Sequence, residues 1–368
     1  MTDGQLHLDG AHRTRATLAD GREILYYDEA AGDRHAVSDP RPLSTIVSTS
    51  ELRTDPLTGD RVVIAGHRQT RTFKPPTDLC PLCPSVAGRP TEIPDDHYDV
   101  VVFENRFPSL HDRAAPPGEL DGAPPFQPGR GRCEVVCFCA EHDSSLASLP
   151  TRRVRTVVEA LADRTQELSS HPDVAQVFPF ENRGEDIGVT LHHPHGQIYA
   201  YPFVPPKVQA KLDQAARHRE ATGRDLFADL LDDERRAGSR VVVTGEAWIG
   251  FTPPAARWPY ELLLVPRRHV PDLPALSSAE RDELAVLLPR VLGGFERLFP
   301  GPASYIAAWH QAPVHQGRDL LRLHLEVFTL RRTADKLKYL AGSESAAGVW
   351  INDVAPEQAA ARLREVIG

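Results

Sequence analysis

No stretch of the 368 residues approaches the roughly 18 consecutive apolar positions of a membrane span. The N-terminus, "MTDGQLHLDGAHRTRATLADG", lacks the basic-then-apolar layout of a signal peptide. A membrane or exported protein is therefore not expected, and the cytoplasm is the expected location. Positive charge is also short: 42 basic against 51 acidic residues give a net −9. That balance argues against a long nucleic acid as main partner, while a small anion in a local basic pocket stays possible. Cysteine is scarce and odd in number, five in all, which argues against a disulfide framework. Three of the five, Cys133, Cys137 and Cys139, lie in the apolar run "CEVVCFC" and read as small buried hydrophobes. Lysine is scarce too. Only Lys74, Lys207, Lys211, Lys336 and Lys338 occur, two of them in one tripeptide, "KLK".

The length suits two domains, each with its own core. Residues 1 to about 45 read as a polar lead-in with one short alternating segment, "REILYYDE". A strand, the Pro/Gly turn "DPLTGD" and a second strand follow, and "YDVVVFENRF" is a further strand. The Pro/Gly-rich residues 112–131 read as a loop. From "CEVVCFCAEH" onward the order is strand, helix ("TRRVRTVVEALADRTQEL"), strand ("VAQVFPFEN"), strand ("GVTLHHPHGQIYAYPF"). The second half repeats it with "YELLLVPRRHV", "AERDELAVLLPRVLGGFERLF", "SYIAAWHQAP" and "LLRLHLEVFTL". Both runs end on a histidine-bearing strand, the mark of a duplicated α+β unit. Helical residues 206–240 link the halves, and "APEQAAARLREVIG" closes the chain as a short helix.

Two constellations carry chemistry. Cys80-Pro81-Leu82-Cys83 has the spacing with which two thiolates grip a tetrahedral zinc. A redox dithiol or two incidental thiols are the alternatives, but the flanking prolines favour a turn over the helix start a redox pair prefers. The second is "HPHGQ". His193 and His195 alternate on a strand and so share a face. Pro194 stiffens the backbone between them, Gly196 would let an anion approach the main chain, and Gln197 supplies a neutral amide donor. Such a histidine serves as ligand, proton shuttle or nucleophile. As a nucleophile toward phosphorus it forms a labile P–N bond, suited to reversible group transfer. An amide neighbour holds a phosphoryl oxygen but cannot protonate a leaving group.

"HPHGQ", preceded by "FENRGEDIGVTLH", resembles the active-site segment of the galactose-1-phosphate uridylyltransferase family, a branch of the histidine-triad superfamily. "DPLTGDRVVIAGHRQTR", the C-x-x-C, "VFENRF", "VVCFCAEHDSSL" and the late "WH" match in the same order, over roughly residues 45–368. The resemblance implies an α+β fold of two tandem histidine-triad-like units, each an antiparallel sheet with packed helices. Residues 1–205 would carry the zinc site and the nucleophile, and residues 206–368 the sugar-phosphate segment. His195 would accept UMP, with Gln197 bonded to the transferred phosphoryl group. Cys80, Cys83, His142 and His193 would hold a structural zinc. Arg68 and Arg71 would lie near the phosphates, and Asn105, Phe107 and Val135 would line the uridine pocket beside Arg106. Asn182, Gly188 and Thr190 would line the phosphate route. Lys338 and Tyr339 of "KLKYLAGSES" would reach a partner subunit's site, which implies a homodimer acting on UDP-glucose and galactose 1-phosphate.

The chain departs from the family in four places. A second metal site in some relatives uses three histidines and a glutamate. Here His310 and His324 match two histidine positions, Glu326 takes the third, and the glutamate position falls near Lys211, so no second metal is expected. Arg106 stands where an aspartate is common, Ser343 where a tyrosine is common, and Ala341 replaces a bulkier residue. These changes leave nucleobase and hexose open. The alternative they raise is a phosphorylase or adenylyltransferase acting on ADP-sugars or dinucleoside polyphosphates. A non-catalytic, zinc-stapled nucleotide binder is a third.

Overall fold

Alternating apolar and polar positions make strands wherever one face of a sheet must be covered. In the computed structural model, which describes residues 6–32, 37–70, 75–118 and 126–368, twelve such strands join one sheet. In chain order they are β1 (Leu6–Leu8), β2 (Ala11–Thr17), β3 (Glu23–Asp28), β4 (Val100–Glu104), β5 (Arg132–Cys137) and β6 (Gln176–Arg183). Then come β7 (His195–Tyr201), β8 (Val241–Thr244), β9 (Trp248–Phe251), β10 (Tyr260–Pro266), β11 (Tyr305–His310) and β12 (His324–Thr329). Across the sheet the order is β1-β2-β3-β4-β5-β7-β6-β11-β12-β10-β9-β8, antiparallel at every pairing. The duplication is visible in that order. The equivalent trios β5-β7-β6 and β10-β12-β11 face each other, and their last strands pair at the centre, Tyr305 with Arg183 through Ala308 with Phe180. The two expected sheets are therefore continuous. Joining edge to edge satisfies the backbone groups that each edge would otherwise leave bare.

Helices α1 (Thr151–Ser169), α4 (Ser278–Arg297) and α6 (Pro356–Ile367) lie on one face, between which come α2 (Pro206–Thr222), α3 (Leu226–Ala237) and the short α5 (Gly342–Ala347). Val154 and Val158 of α1 and Leu284, Leu288 and Val291 of α4 share one core with Val136, Ile198, Leu264 and Leu325 of the strands. A capping box starts α4: the Glu280 amide donates to Ser277 Oγ, and the Ser277 amide to Glu280 Oε2 at 2.7 Å. On the opposite face, Cys80, Leu82, Ile93 and Tyr98 cover Ile24, Tyr26, Val101 and Val135. There too, Leu231 of α3 covers Ile249, Phe251 and Val265. Between these covers lie the half-buried aromatic rings of Phe178, Phe180, Tyr199 and Tyr201.

Residues 6–28 are not the polar lead-in expected; they extend the sheet by three strands. The pattern misleads because Arg13 and Arg15 on β2 meet Asp163 and Glu167 of α1, so the covered face is matched by ion pairs instead of apolar groups. The loop expected over 112–131 includes a two-residue strand, Gln127–Pro128, paired to Glu51–Thr54. Cys133, Cys137 and Cys139 are buried as expected. Among the described residues no helix is long and apolar enough to cross a membrane.

Candidate active site

Strand β7 sends Gly196, Ile198 and Ala200 toward the helices, all buried, and His195, Gln197, Tyr199 and Tyr201 toward the other face. Gly196 thus faces away from any ligand beside His195. Its necessity is packing: a Cβ there would sit 2.9 Å from both Phe138 Cζ and the Phe180 carbonyl oxygen. The expectation that Gly196 admits an anion is corrected on that ground. His195 Nδ1 lies 2.7 Å from the His193 carbonyl oxygen and donates its proton there, which leaves Nε2 with a free lone pair. Burial lowers the His195 pKa, against the opposing pull of that carbonyl, so the imidazole is neutral and nucleophilic near pH 7.

His195 borders two cavities. One, of about 200 Å³, is lined by Arg68, Asn105, Arg106, Phe107, Val135, Thr190 and Gln197 among others. The other, of about 520 Å³, is lined by Ser144, Ser145, Glu181, Asn182 and Arg183, with the His142 and His193 rings at its edge. In the smaller one, Asn105 Oδ1 accepts from the Phe107 amide at 2.9 Å and Arg68 bonds Ser109 Oγ. Gln197 sits in register between Val135 and Phe180. Arg106 is 3.4 Å from Glu92, whose carboxylate is also held by Arg22 at 2.6 Å and Arg41 at 2.7 Å. Although burial opposes it, those two arginines keep Glu92 below the usual carboxylate range. Glu92, Ser144 and Ser145 escaped the sequence reading. The serines lie two and three residues after His142 and could have been marked, whereas Glu92 has no local signal. Gly188 borders neither cavity. With φ +80° it ends the turn Glu185–Ile187, a conformation that favours glycine. Arg71 lies outside the described residues.

Beside His195, one ligand atom from each of Cys80, Cys83, His142 and His193 falls within 4.8 Å of all the others. Cys83 Sγ is 3.4 Å from His142 Nδ1 and 3.5 Å from His193 Nδ1. The other His193 nitrogen, Nε2, donates to the Cys139 carbonyl at 2.8 Å and also meets Tyr98 Oη, which turns Nδ1 toward the thiols. Burial and the neighbouring Cys80 push the Cys83 thiol up to about 12. Two thiols and two imidazole nitrogens, with the imidazole orientation fixed from behind, fit a tetrahedral metal. His193 therefore serves twice, by its ring toward this cluster and by its carbonyl toward His195.

Lys338 and Tyr339 border neither cavity within the chain. The Lys338 ammonium bonds Glu344 at 2.7 Å and the Ile351 carbonyl. Tyr339 is 74% exposed, in company with exposed Leu340, Val349 and Ile351. In the second half, His310, His324 and Glu326 do converge, together with Lys207 and Lys211.

What this arrangement can do is relay a group. A neutral imidazole between two cavities can take a phosphoryl group from a ligand in one position and release it to a second ligand. The comparisons point the same way. Residues 42–205 match the model of the galactose-1-phosphate uridyl transferase N-terminal domain, and residues 211–367 that of the C-terminal domain. The galactose-1-phosphate uridylyltransferase of Streptomyces lividans is 47% identical over 370 residues, 96% of this chain and 98% of the relative. That of Thermotoga maritima is 37% identical over 319 residues, 86% and 98%. A solved structure of a uridylyltransferase superposes with a TM-score of 0.75 at 30% identity, covering 86% of this chain and 98% of the other. This chain belongs to the galactose-1-phosphate uridylyltransferase family.

Proposed function

We propose that the chain is a galactose-1-phosphate uridylyltransferase that moves UMP from UDP-glucose to galactose 1-phosphate through a uridylyl-His195 intermediate. The observation that carries the reading is the His195 imidazole, fixed by the His193 carbonyl with Nε2 free at the border of two cavities. Nε2 attacks the α-phosphorus of UDP-glucose. The P–N bond forms as the bond to the bridging oxygen breaks, and glucose 1-phosphate departs with the electron pair. The proton on Nδ1 stays throughout, and the carbonyl that accepts it stabilises the imidazolium of the adduct. A phosphate oxygen of galactose 1-phosphate then displaces His195 and regenerates the neutral ring. The leaving group is itself a phosphate, so no strong acid is needed. Gln197 and Arg68 supply donors for the charge that spreads over the phosphoryl oxygens, and Asn105, Phe107 and Val135 form the nucleoside side. Asn182 and Thr190 border the phosphate path.

Zinc would suit the donor set of Cys80, Cys83, His142 and His193, and it would tie the loop that carries Cys80 to the segment just ahead of β7 that carries His193. Residues 1–205 and 206–368 form the two units, a division supported by family models that meet between 205 and 211. The exposed apolar cluster around Tyr339 supports a homodimer in which that segment meets a partner, Lys338 included. The cytoplasm is the location in keeping with these substrates. Intact-protein mass spectrometry after brief exposure to UDP-glucose tests the reading. One uridylyl increment is expected, absent in His195→Ala and discharged by galactose 1-phosphate, with turnover in that variant down by about 10⁴ or more. An adduct from ADP-glucose alone would replace uridine with adenosine and make Arg106 the residue that selects it.

A further inference from the structure

The pocket of the second half takes no part in the reading above, so an inference from it stands or falls separately. Its polar end is built by α2 and two central strands. Lys207 and Lys211 lie one turn apart on α2 and so share a face. His324 and Glu326 alternate on β12, and His310 sits opposite His324 in register. The two rings stack with centroids 4.9 Å apart and planes 12° from parallel. All three side chains are buried. Two imidazoles and a carboxylate converging in this way are a donor set for a divalent transition metal. A cavity of about 520 Å³ opens beside them, lined by Phe227, Leu230, Leu263, Arg257 and a second carboxylate, Glu261.

Nearly every lone pair that a metal would draw on is already taken. Lys207 Nζ lies 2.7 Å from both oxygens of Glu326, and His310 Nε2 donates to one of them at 2.6 Å. His324 Nδ1 donates to the Arg322 carbonyl at 2.8 Å, so Nε2 is the acceptor, and Lys211 Nζ occupies it at 2.6 Å. Burial draws Lys211 down to about 7; as ammonium or as amine it still offers an N–H to Nε2. One donor atom is left over. His310 Nδ1 is buried and has no hydrogen-bond partner among the described residues, although its lone pair is free once Nε2 carries the proton.

We propose that Lys207 and Lys211 stand in for a divalent cation: the second half carries a metal-type cluster neutralised from within, closed to metal in the native chain and opened by removing Lys211. The two lysines also tie α2, the first helix after the junction, onto β12 with no need for an ion. The residues present therefore do not fit the second metal that some relatives hold, for a reason of occupancy as well as of ligand type.

The test counts cobalt per chain in full-length protein loaded with Co²⁺ and freed of excess by gel filtration. In the native chain, bound cobalt should show the near-ultraviolet sulfur-to-metal band of thiolate ligation together with the visible d–d bands of that one tetrahedral site. Lys211→Glu, and Lys207→Ala with Lys211→Ala, should each take up one further equivalent. That equivalent should show visible d–d absorption without added sulfur band, and it should be lost again on adding His310→Ala. A second equivalent in the native chain that His310→Ala removes would overturn the proposal. So would lysine variants with native circular dichroism that take up none. If Lys211→Glu fails to fold, Lys211→Gln carries the same test. Because the count is a difference between variants, it does not depend on whether the cysteine cluster fills.

Discussion

At the scale of single residues, burial decides what each titratable group near the site can do. His195 is kept neutral by burial and aimed by one carbonyl. Glu181, on the neighbouring strand β6 in the larger cavity's wall, shows the opposite sign for a carboxyl. Burial pushes it up to about 8, against Arg183 and a bond from Tyr305 Oη, with Glu296 adding to the rise. Folded, it keeps its proton to about pH 8; unfolded, it gives it up near 4.5. The native state therefore binds more protons between those values. Stability contributed by this group falls as pH rises through that window and is gone above 8. Glu181→Gln should flatten that part of the profile, so the drop in Tm between pH 6 and pH 8.5, read by calorimetry, should shrink. An unchanged drop would show that Glu181 is ionised in the folded chain already at pH 6.

At the scale of elements, β7 is where sequence and structure agree most and then part. The pattern of "HPHGQIYAY" predicts a strand through both His193 and His195, but the strand begins at His195 and His193 lies in the segment that leads into it. The reason for Gly196 was not legible, because its neighbours arrive from elsewhere in the chain, Phe138 from just past the end of β5 and Phe180 from β6. Gly196→Ala should cost about 1–3 kcal/mol, the usual range for overpacking a filled core, seen as a lower denaturant midpoint. Phe138→Leu in the same chain should recover part of it. A midpoint equal to the native one would mean that the strand shifts freely, and turnover should then fall because His195 shifts with it. The helices were legible for a local reason, the helical spacing of apolar residues in runs such as "TRRVRTVVEALADRTQEL"; the capping box of "SSAE" was a local signal left unread. Lys207 and Lys211 show the limit. Their spacing puts them on one face of α2, but that the face lies on Glu326 and His324 depends on a strand far along the chain.

For the whole molecule, the repeated strand–helix–strand–strand order was readable since each period is local, and the seam between the halves was not. Pairing β6 with β11 joins residues distant in sequence, and neither strand advertises its partner. The N-terminal hairpins were misread for the related reason that Arg13 and Arg15 find their carboxylates only on α1. Those strands precede the first residue matched by the family model, at 42, and Arg22, just ahead of β3, is one of the two arginines holding Glu92 in the smaller cavity.

They also have a part to play in keeping copies of the chain apart. β3 pairs with β4, whose five residues "VVVFE" are all buried. Remove residues 1–30 and β4 becomes a bare apolar margin with a row of unpaired donors and acceptors, a template for strands of other molecules. The shortened chain should leave a sizing column as large, polydisperse assemblies and should bind thioflavin T on standing. A shortened chain that elutes as one sharp species of native assembly size would assign the hairpins to the smaller cavity alone. On the present geometry, residues 6–30 are as much a guard against self-templating as a support for Glu92 beside the smaller cavity.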